Sequence, residues 1–295
     1  MKNMQRREFL KLMGLAGVVF SSGLPGLRDA QAAASREFYF VQMTDTHYGF
    51  GKKKFNPDPE AGLVRAINEV NGLSYRPDFI VFTGDLTHTT DDPKLRRQRM
   101  AEFRNIVSHL DVETIHFMPG EHDASLDAGK AYREFFGELY YAFEHKGIQF
   151  IALDNVSDPR GILGSGQLQW LRRILGGVDT DKPVVVLAHR PLFDLYPEWG
   201  WSTGDGAKAI AMLKRFRHVT VFYGHIHQEH HYHTGHIAHH SSRSLIFPLP
   251  APGSVAVKKP LAWDPARPFH GLGLRSVELG GRHTTEIDEI SLYKG

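Results

Sequence analysis

Cysteine is absent from all 295 residues. Disulfides, thiolate ligands and thiol nucleophiles are thereby excluded, so any metal has to be held by histidine and carboxylate. A surplus of one charge is also missing, since 35 Lys and Arg face 33 Asp and Glu for a formal charge of +2. No nucleic-acid-binding surface is implied. Long apolar runs are lacking too. No stretch approaches the ~18 residues that cross a bilayer, so the mature form is expected to have no membrane span. Neither Gly84 nor Gly120 is followed by the Lys-Ser/Thr of a phosphate-cradling loop.

What is abundant is histidine: 18 residues, roughly two to three times ordinary usage. Several lie in a repeated pattern, a short apolar run suited to a buried strand that ends in Asp, Glu or His. Val219-Thr-Val-Phe-Tyr223 leads through Gly224 to His225-Ile-His227. With one residue between them, His225 and His227 leave the strand end in different directions and reach two neighbouring ions more easily than one. Upstream, residues 38–43 run into Asp45 and His47, 78–83 into Gly84-Asp85, 114–118 into Gly120-Glu121-His122-Asp123, and 183–188 into His189. Helical stretches separate most of these strands, which implies a parallel sheet with its ligand edge at the strand carboxyl ends.

The N-terminus reads as an export leader. Gln5-Arg6-Arg7-Glu8-Phe9-Leu10-Lys11 is a twin-arginine signature, 12–20 is modestly apolar, and Ala30-Gln31-Ala32 is a small-x-small cleavage site. The expected division is a signal peptide over 1–34 and one domain over 35–295, carried folded by the twin-arginine export machinery to a periplasmic or secreted location. A basic, amphipathic start of a cytosolic protein is the alternative. Helices are expected over 57–73, with Leu63, Ile67 and Val70 on one face, and over 93–110, with Leu95, Met100, Phe103, Ile106 and Val107 available to the core. Further helices are expected over 128–137, 167–175 and 205–216, and a hairpin over 140–153. Beyond His227 only short alternating strands are expected. A β-α portion followed by a mostly antiparallel one predicts an α/β protein of two packed sheets with helices outside.

Asp45-x-His47, Gly84-Asp85, Gly120-x-His122-Asp123, His189 and Gly224-His225-x-His227, in this order over 38–227, resemble the calcineurin-like metallophosphoesterase family, including its bacterial cyclic-nucleotide phosphodiesterase branch. The resemblance implies a four-layer α/β/β/α sandwich. It also implies one metal on Asp45, His47, His227 and a bridging Asp85, and a second on Asp85, His189, His225 and residue 121. Two such ions, about 3.5–4 Å apart, place a hydroxide for attack on phosphorus. His122 would then serve the leaving oxygen, and Asp123 would orient its imidazole and keep it protonated. The ions would be Fe, Mn or Zn, and the substrate a small phosphate ester, a diester in preference to a monoester.

One position departs from the family, Glu121 standing where Asn is usual. The added carboxylate suggests a mixed Fe(III)–divalent pair, or a preference for a diester monoanion. It also leaves open a non-catalytic periplasmic metal-binding protein that has lost turnover. Other features carry blander readings. His230, His231 and His233 are expected on a solvated hairpin face, His88 in a loop and His116 in the core. Trp199 and Trp201 are expected on a rim loop, either stacking a nucleobase or packed there. The segment 247–253 reads as a stiff connector without chemistry.

Overall fold

The computed structural model describes residues 38–280 and 285–294. The leader motif and cleavage site expected within 1–34 lie outside the described residues. The first sheet has the order β11-β10-β1-β2-β3. Strands β1 (Phe38–Met43), β2 (Phe79–Thr83) and β3 (Ile115–Met118) are parallel, while β10 (Gly273–Leu279) and β11 (Thr285–Ser291) add antiparallel. The second has the order β4-β5-β6-β7-β9-β8. Its parallel centre is β5 (Ile148–Ala152), β6 (Val184–Leu187), β7 (Val219–Tyr223) and β9 (Ile237–Ser241), edged antiparallel by β4 (Tyr141–His145) and β8 (His230–Thr234).

Alternation along buried strands builds the layers. Phe38 and Phe40 of β1, with Phe79 and Val81 of β2, point between the sheets and meet Phe150, Val185, Leu187 and Phe222. Their neighbours Tyr39, Val41, Met43, Ile80 and Phe82 point outward. There they pack on Leu63, Ile67 and Val70 of α1 (Ala61–Asn71) and on Met100, Phe103 and Val107 of α2 (Pro93–Val107). Across the second sheet, Ile151, Val186 and Val221 pack on Leu168, Leu171 and Leu175 of α5 (Gly164–Gly176) and on Ala209, Ile210 and Leu213 of α6 (Gly206–Leu213). Two short helices, α3 (Glu121–Ala124) and α4 (Lys130–Phe136), follow β3. The result is the expected α/β/β/α sandwich.

The detail differs from expectation in three ways. The ligand-bearing strands do not share one parallel sheet: β1, β2 and β3 belong to the first, β6 and β7 to the second. The C-terminal strands do not form a separate antiparallel portion either. The hairpin β8–β9 extends the second sheet beside β7, and β10–β11 returns to β1, whose outer edge would otherwise present unpaired backbone groups. On α2 the buried stripe takes in Arg96, whose guanidinium donates to Asp127 at 2.9 Å and to the Thr90 carbonyl at 3.0 Å. Leu95 and Ile106 are only half-buried. No helix among the described residues is long and apolar enough to cross a membrane.

Phe40 is the centre of the inter-sheet contact. It stacks on Phe79 at 5.1 Å and meets Phe150 and Phe222 edge-on at 5.9 and 5.5 Å. Replacing it by Ala leaves a cavity between two sheets that cannot close over it, so Phe40→Ala should cost about 3–5 kcal/mol. Urea denaturation with an unchanged m-value measures this, and a loss under about 1 kcal/mol would show that the sheets can collapse onto the gap.

Candidate metal centre

The carboxyl ends of β1, β2 and β3 meet those of β6 and β7 where the two sheets face one another, and the loops that leave them are tied together. Asp45 N–H donates to the Gly84 carbonyl at 3.0 Å, and His47 N–H to the Asp85 carbonyl at 2.9 Å. Strands β1, β2 and β7 turn sharply here. Asp45, His47, Asp85, His225 and His227 all have φ between 43° and 68°, a left-handed backbone that costs a non-glycine residue roughly 1–2 kcal/mol. Glycine makes the close approaches possible: a Cβ on Gly120 would collide with the Asp85 carboxylate and amide, and one on Gly224 with Thr44 and Asp45.

The seven expected ligands fall into two groups, Asp45, His47 and His227 in one and Asp85, Glu121, His189 and His225 in the other. His225 and His227 separate between the groups, as the spacing predicted. Asp85 joins the groups, because its Oδ2 lies 3.4 Å from both His47 Nε2 and His189 Nε2. Its other oxygen is taken by the His122 N–H at 2.9 Å. Asp45 repeats the arrangement. Its Oδ2 accepts from Thr44 Oγ1 and His225 N–H at 2.7 and 2.9 Å, while its Oδ1 faces His227 Nε2 at 3.3 Å with no hydrogen bond.

The outer nitrogens decide what the inner ones present. His189 Nδ1 faces the Thr83 carbonyl at 2.7 Å, His227 Nδ1 the Phe247 carbonyl at 2.7 Å and His225 Nε2 the Gly200 carbonyl at 3.1 Å. A carbonyl only accepts, so each of these nitrogens carries the proton and the opposite nitrogen turns a lone pair inward. Those lone pairs converge on carboxylates. Glu121 Oε1 is 2.9 Å from His225 Nδ1, and Glu121 Oε2 is 3.0 Å from His189 Nε2, yet neither Glu121 Oε2 nor His189 Nε2 is hydrogen-bonded. His47 Nε2 and His227 Nε2 face each other at 3.2 Å.

Burial, followed by the nearby His122 and His227, pushes His47 well below its ordinary value, and burial lowers His225 as well. Both are therefore neutral, as ligands must be. His189 goes the other way. Burial opposes its charge, but Asp85 and Glu121 hold it well above the ordinary range, a proton standing where a cation would. Lone pairs and anions packed face to face in a buried pocket fit divalent or trivalent ions with nitrogen and oxygen ligands.

Residues 38–229 match the calcineurin-like phosphoesterase family. The chain belongs to this family. Among curated relatives it is 32% identical over 162 residues to a probable glycerophosphodiester phosphodiesterase of Arcobacter nitrofigilis, covering 51% of this chain and 56% of that one. It is 26% identical over 226 residues to a serine/threonine-protein phosphatase of Danio rerio, covering 68% and 73%. A probable cyclic nucleotide phosphodiesterase of Rhodopseudomonas palustris is 25% identical over 201 residues, covering 64% and 71%. A dimetal phosphatase of Danio rerio shares the fold with a TM-score of 0.58 at 15% identity, over 86% of this chain and 99% of that one.

His122 lies beside the family's ligand set, its Nε2 4.0 Å from Asp85 Oδ2. Its Nδ1 receives the Thr89 N–H at 3.3 Å and faces the Thr89 hydroxyl, which leaves the proton on Nε2. Thr89, not Asp123, therefore orients this imidazole, a correction to expectation. Asp123 is the third residue of α3 and turns back to cap its own helix. It accepts from the N–H groups of Gly120, Leu86 and Thr87 at 2.9, 2.9 and 2.8 Å and from Thr87 Oγ1 at 2.9 Å. Burial and the neighbouring Asp85 push its carboxyl up to about 7, against those donors. Asp123 fastens the β2 and β3 loops together.

Three residues given blander readings take part. His88 is no mere loop residue: its Nδ1 lies 3.3 Å from His47 Nδ1, and its ring stacks on His122 at 4.7 Å. Burial, then His122, lowers it to about 4, so it is neutral and able to accept from His47. Phe247 holds His227 through its carbonyl and lays its ring against His47 and His227 at 5.7 and 4.8 Å. The connector 247–253 thus begins with a residue of the site. Trp201 is fully buried, with Trp199 edge-on to it at 5.1 Å, so the loop between them is a packed support that presents the Gly200 carbonyl to His225. The spacing Gly84-Asp85-x-x-His88 was the only sequence signal for His88, and Phe247 had none. His116 stacks flat on Phe143 at 3.8 Å, away from the centre. His231 and His233 are exposed on the β8–β9 hairpin, as expected.

His88→Ala removes the only hydrogen-bonding partner of His47 Nδ1 among the described residues. Loss of such an outer partner should weaken metal binding roughly 10–100-fold. Titration of metal-free protein with Mn(II) or Zn(II) reads this directly, and an unchanged affinity would show that His47 is held by packing on Phe247 alone.

Proposed function

We propose that this chain is an exported, binuclear metal-dependent phosphoesterase that hydrolyses phosphodiesters of small molecules. The observation that carries the reading is the position of Asp85 Oδ2, 3.4 Å from one inward imidazole of each group, with its partner oxygen already occupied. One carboxylate oxygen is thereby left to serve two ions. Asp45, His47 and His227 would hold one and Glu121, His189 and His225 the other, drawn from Fe, Mn or Zn, including a mixed Fe(III)–divalent pair. When bound, such a pair supplies Lewis acidity to phosphoryl oxygens and acidifies water enough to furnish a nucleophile near neutral pH.

The chain's own contribution is positioning and proton supply. Left-handed turns point the ligands inward, carbonyls of Thr83, Gly200 and Phe247 fix three imidazoles in the ligating tautomer, and His122 offers its Nε2–H to the leaving oxygen. The diester preference is supported by two of the relatives, whose names are phosphodiesterases. Export is supported by the motif at Gln5–Lys11 and the site at Ala30–Ala32. It would place a mature domain over 35–295 in the periplasm or outside the cell by way of the twin-arginine machinery.

Purified protein supplied with Mn, Fe or Zn should release nitrophenol from bis(p-nitrophenyl) phosphate faster than from the monoester, and Asp85→Asn should abolish release together with metal binding. Inactivity with every metal, alongside tight metal binding, would leave a non-catalytic metal-binding protein instead. His122→Ala should lower kcat about 10²–10⁴-fold on alkyl esters, whose leaving oxygen needs a proton, and less on nitrophenyl esters. An equal loss on both would remove His122 from proton transfer. Replacing Arg6 and Arg7 together by Lys should retain the protein in the cytoplasm, and unchanged export on fractionation would refute the twin-arginine route.

A further inference from the structure

Arg190 follows the ligand His189 at the end of β6, and its backbone is pinned by Asn155. Arg190 N–H donates to Asn155 Oδ1 at 3.2 Å, and Asn155 Nδ2 donates to the Arg190 carbonyl at 2.9 Å. The guanidinium then crosses the rim of the second ligand group. Its Nε is 3.7 Å from Glu121 Oε2, too far for a hydrogen bond, and the side chain is 19% exposed. Gly161, at φ +65°, leaves room for it, since a Cβ there would collide with Nη1.

Among the described residues no acceptor takes any N–H of the guanidinium, and Nε is buried without a partner. The buried Nε is costly unless something else accepts from it, and the two Nη groups beside it are open to solvent and free to take an anion. Glu121 is not that acceptor, because its oxygens turn to His189 and His225 and the paired geometry of a guanidinium–carboxylate fork is absent.

Lys258 reaches the same rim from the long loop after Phe247. Its Nζ donates to the Trp199 carbonyl at 3.0 Å and lies 6.0 Å from the Trp201 ring. The residue after Trp199, Gly200, presents its carbonyl to His225 Nε2 at 3.1 Å, so the ammonium stands on the segment that borders the second ligand group. The position 121 carboxylate and these two cations form a local set that the ligand residues alone do not explain.

We propose that Arg190 and Lys258 form a cationic subsite beside the second ligand group that binds a phosphoryl oxygen anion of the substrate, an inference that rests on the phosphoesterase reading above. Arg190 supplies the planar fork that matches two phosphoryl oxygens, and Lys258 a point charge. The subsite also offsets the third carboxylate, so Glu121 does not by itself leave the centre poorer in positive charge than a centre with Asn. The oxygen bound belongs either to the scissile phosphoryl group or to a second phosphate on the same substrate, and the two differ in which substrates suffer when the fork is removed.

The test uses metal-loaded protein and its Arg190→Gln, Arg190→Lys and Lys258→Gln variants. Inorganic phosphate binding is measured by calorimetry, metal content by elemental analysis, and KM with bis(p-nitrophenyl) phosphate and with a nucleoside diphosphate ester. Arg190→Gln should weaken phosphate binding and raise KM roughly 10–100-fold with metal content unchanged. Arg190→Lys should restore only part of this and Lys258→Gln should lose less. A penalty on both substrates assigns the subsite to the scissile group, and one confined to the diphosphate ester assigns it to the second phosphate. Unchanged phosphate affinity and KM, or changes that merely follow lost metal, overturn the proposal. Should the parent protein hydrolyse no ester with any metal, the phosphoesterase reading fails, while the calorimetric comparison still decides whether Arg190 binds phosphate.

Discussion

Three carboxylates and four imidazoles are buried at one edge of this protein with their unshared electron pairs pointing at one another. Asp45 Oδ1, Asp85 Oδ2 and both Glu121 carboxylate oxygens face the inner nitrogens of His47, His189, His225 and His227 at 2.9–3.9 Å. Protonation relieves part of that repulsion, and His189 shows the pressure by holding its proton well above its usual range. Cations between the two sets would turn the same arrangement from a liability into a binding site, and the outer carbonyls hold three of the imidazoles in the orientation this needs.

The scaffold accepts backbone strain to keep this geometry. Five of the clustered residues hold left-handed φ values, and the surrounding links explain why they do not relax. Asp123 bolts the β2 and β3 loops, backbone bonds join the β1 and β2 loops, and the Thr44 hydroxyl and His225 amide lock the Asp45 carboxylate. Behind them the sandwich of aromatic rings around Phe40 fixes how the two sheets meet. A strained edge on a rigid double sheet is the arrangement expected where pre-organisation matters more than local stability.

Much of this was legible in the chain. The short apolar runs of β1 and β2 and the apolar stripe of α1 announce the elements, and the recurrence of Asp, Glu or His at strand ends announces the seven residues that cluster there. The split of His225 from His227 followed from their spacing. The supporting residues were not legible. Phe247 acts through its carbonyl, an atom that every residue has, and His88 and Thr89 act through contacts made only when the β2 loop folds across β1. Asp123 was misassigned because adjacency to His122 in sequence is not adjacency of their side chains: in the turn of α3 one points at the centre and the other back at the helix start.

The sequence by itself therefore determined the layered α/β architecture, the set of Asp, Glu and His residues that gather at the strand ends and the absence of cysteine among them, because these depend on residue type and on periodicities of two and three to four. Only the tertiary structure decided which sheet each strand joins, that the His122 N–H occupies one oxygen of Asp85 and leaves the other facing both groups, and that Arg190 and Lys258 come to the same rim from positions 68 residues apart. Those outcomes depend on how two sheet edges and four loops meet in space, and the distances involved arise from packing between segments whose separation along the chain leaves no trace in local pattern.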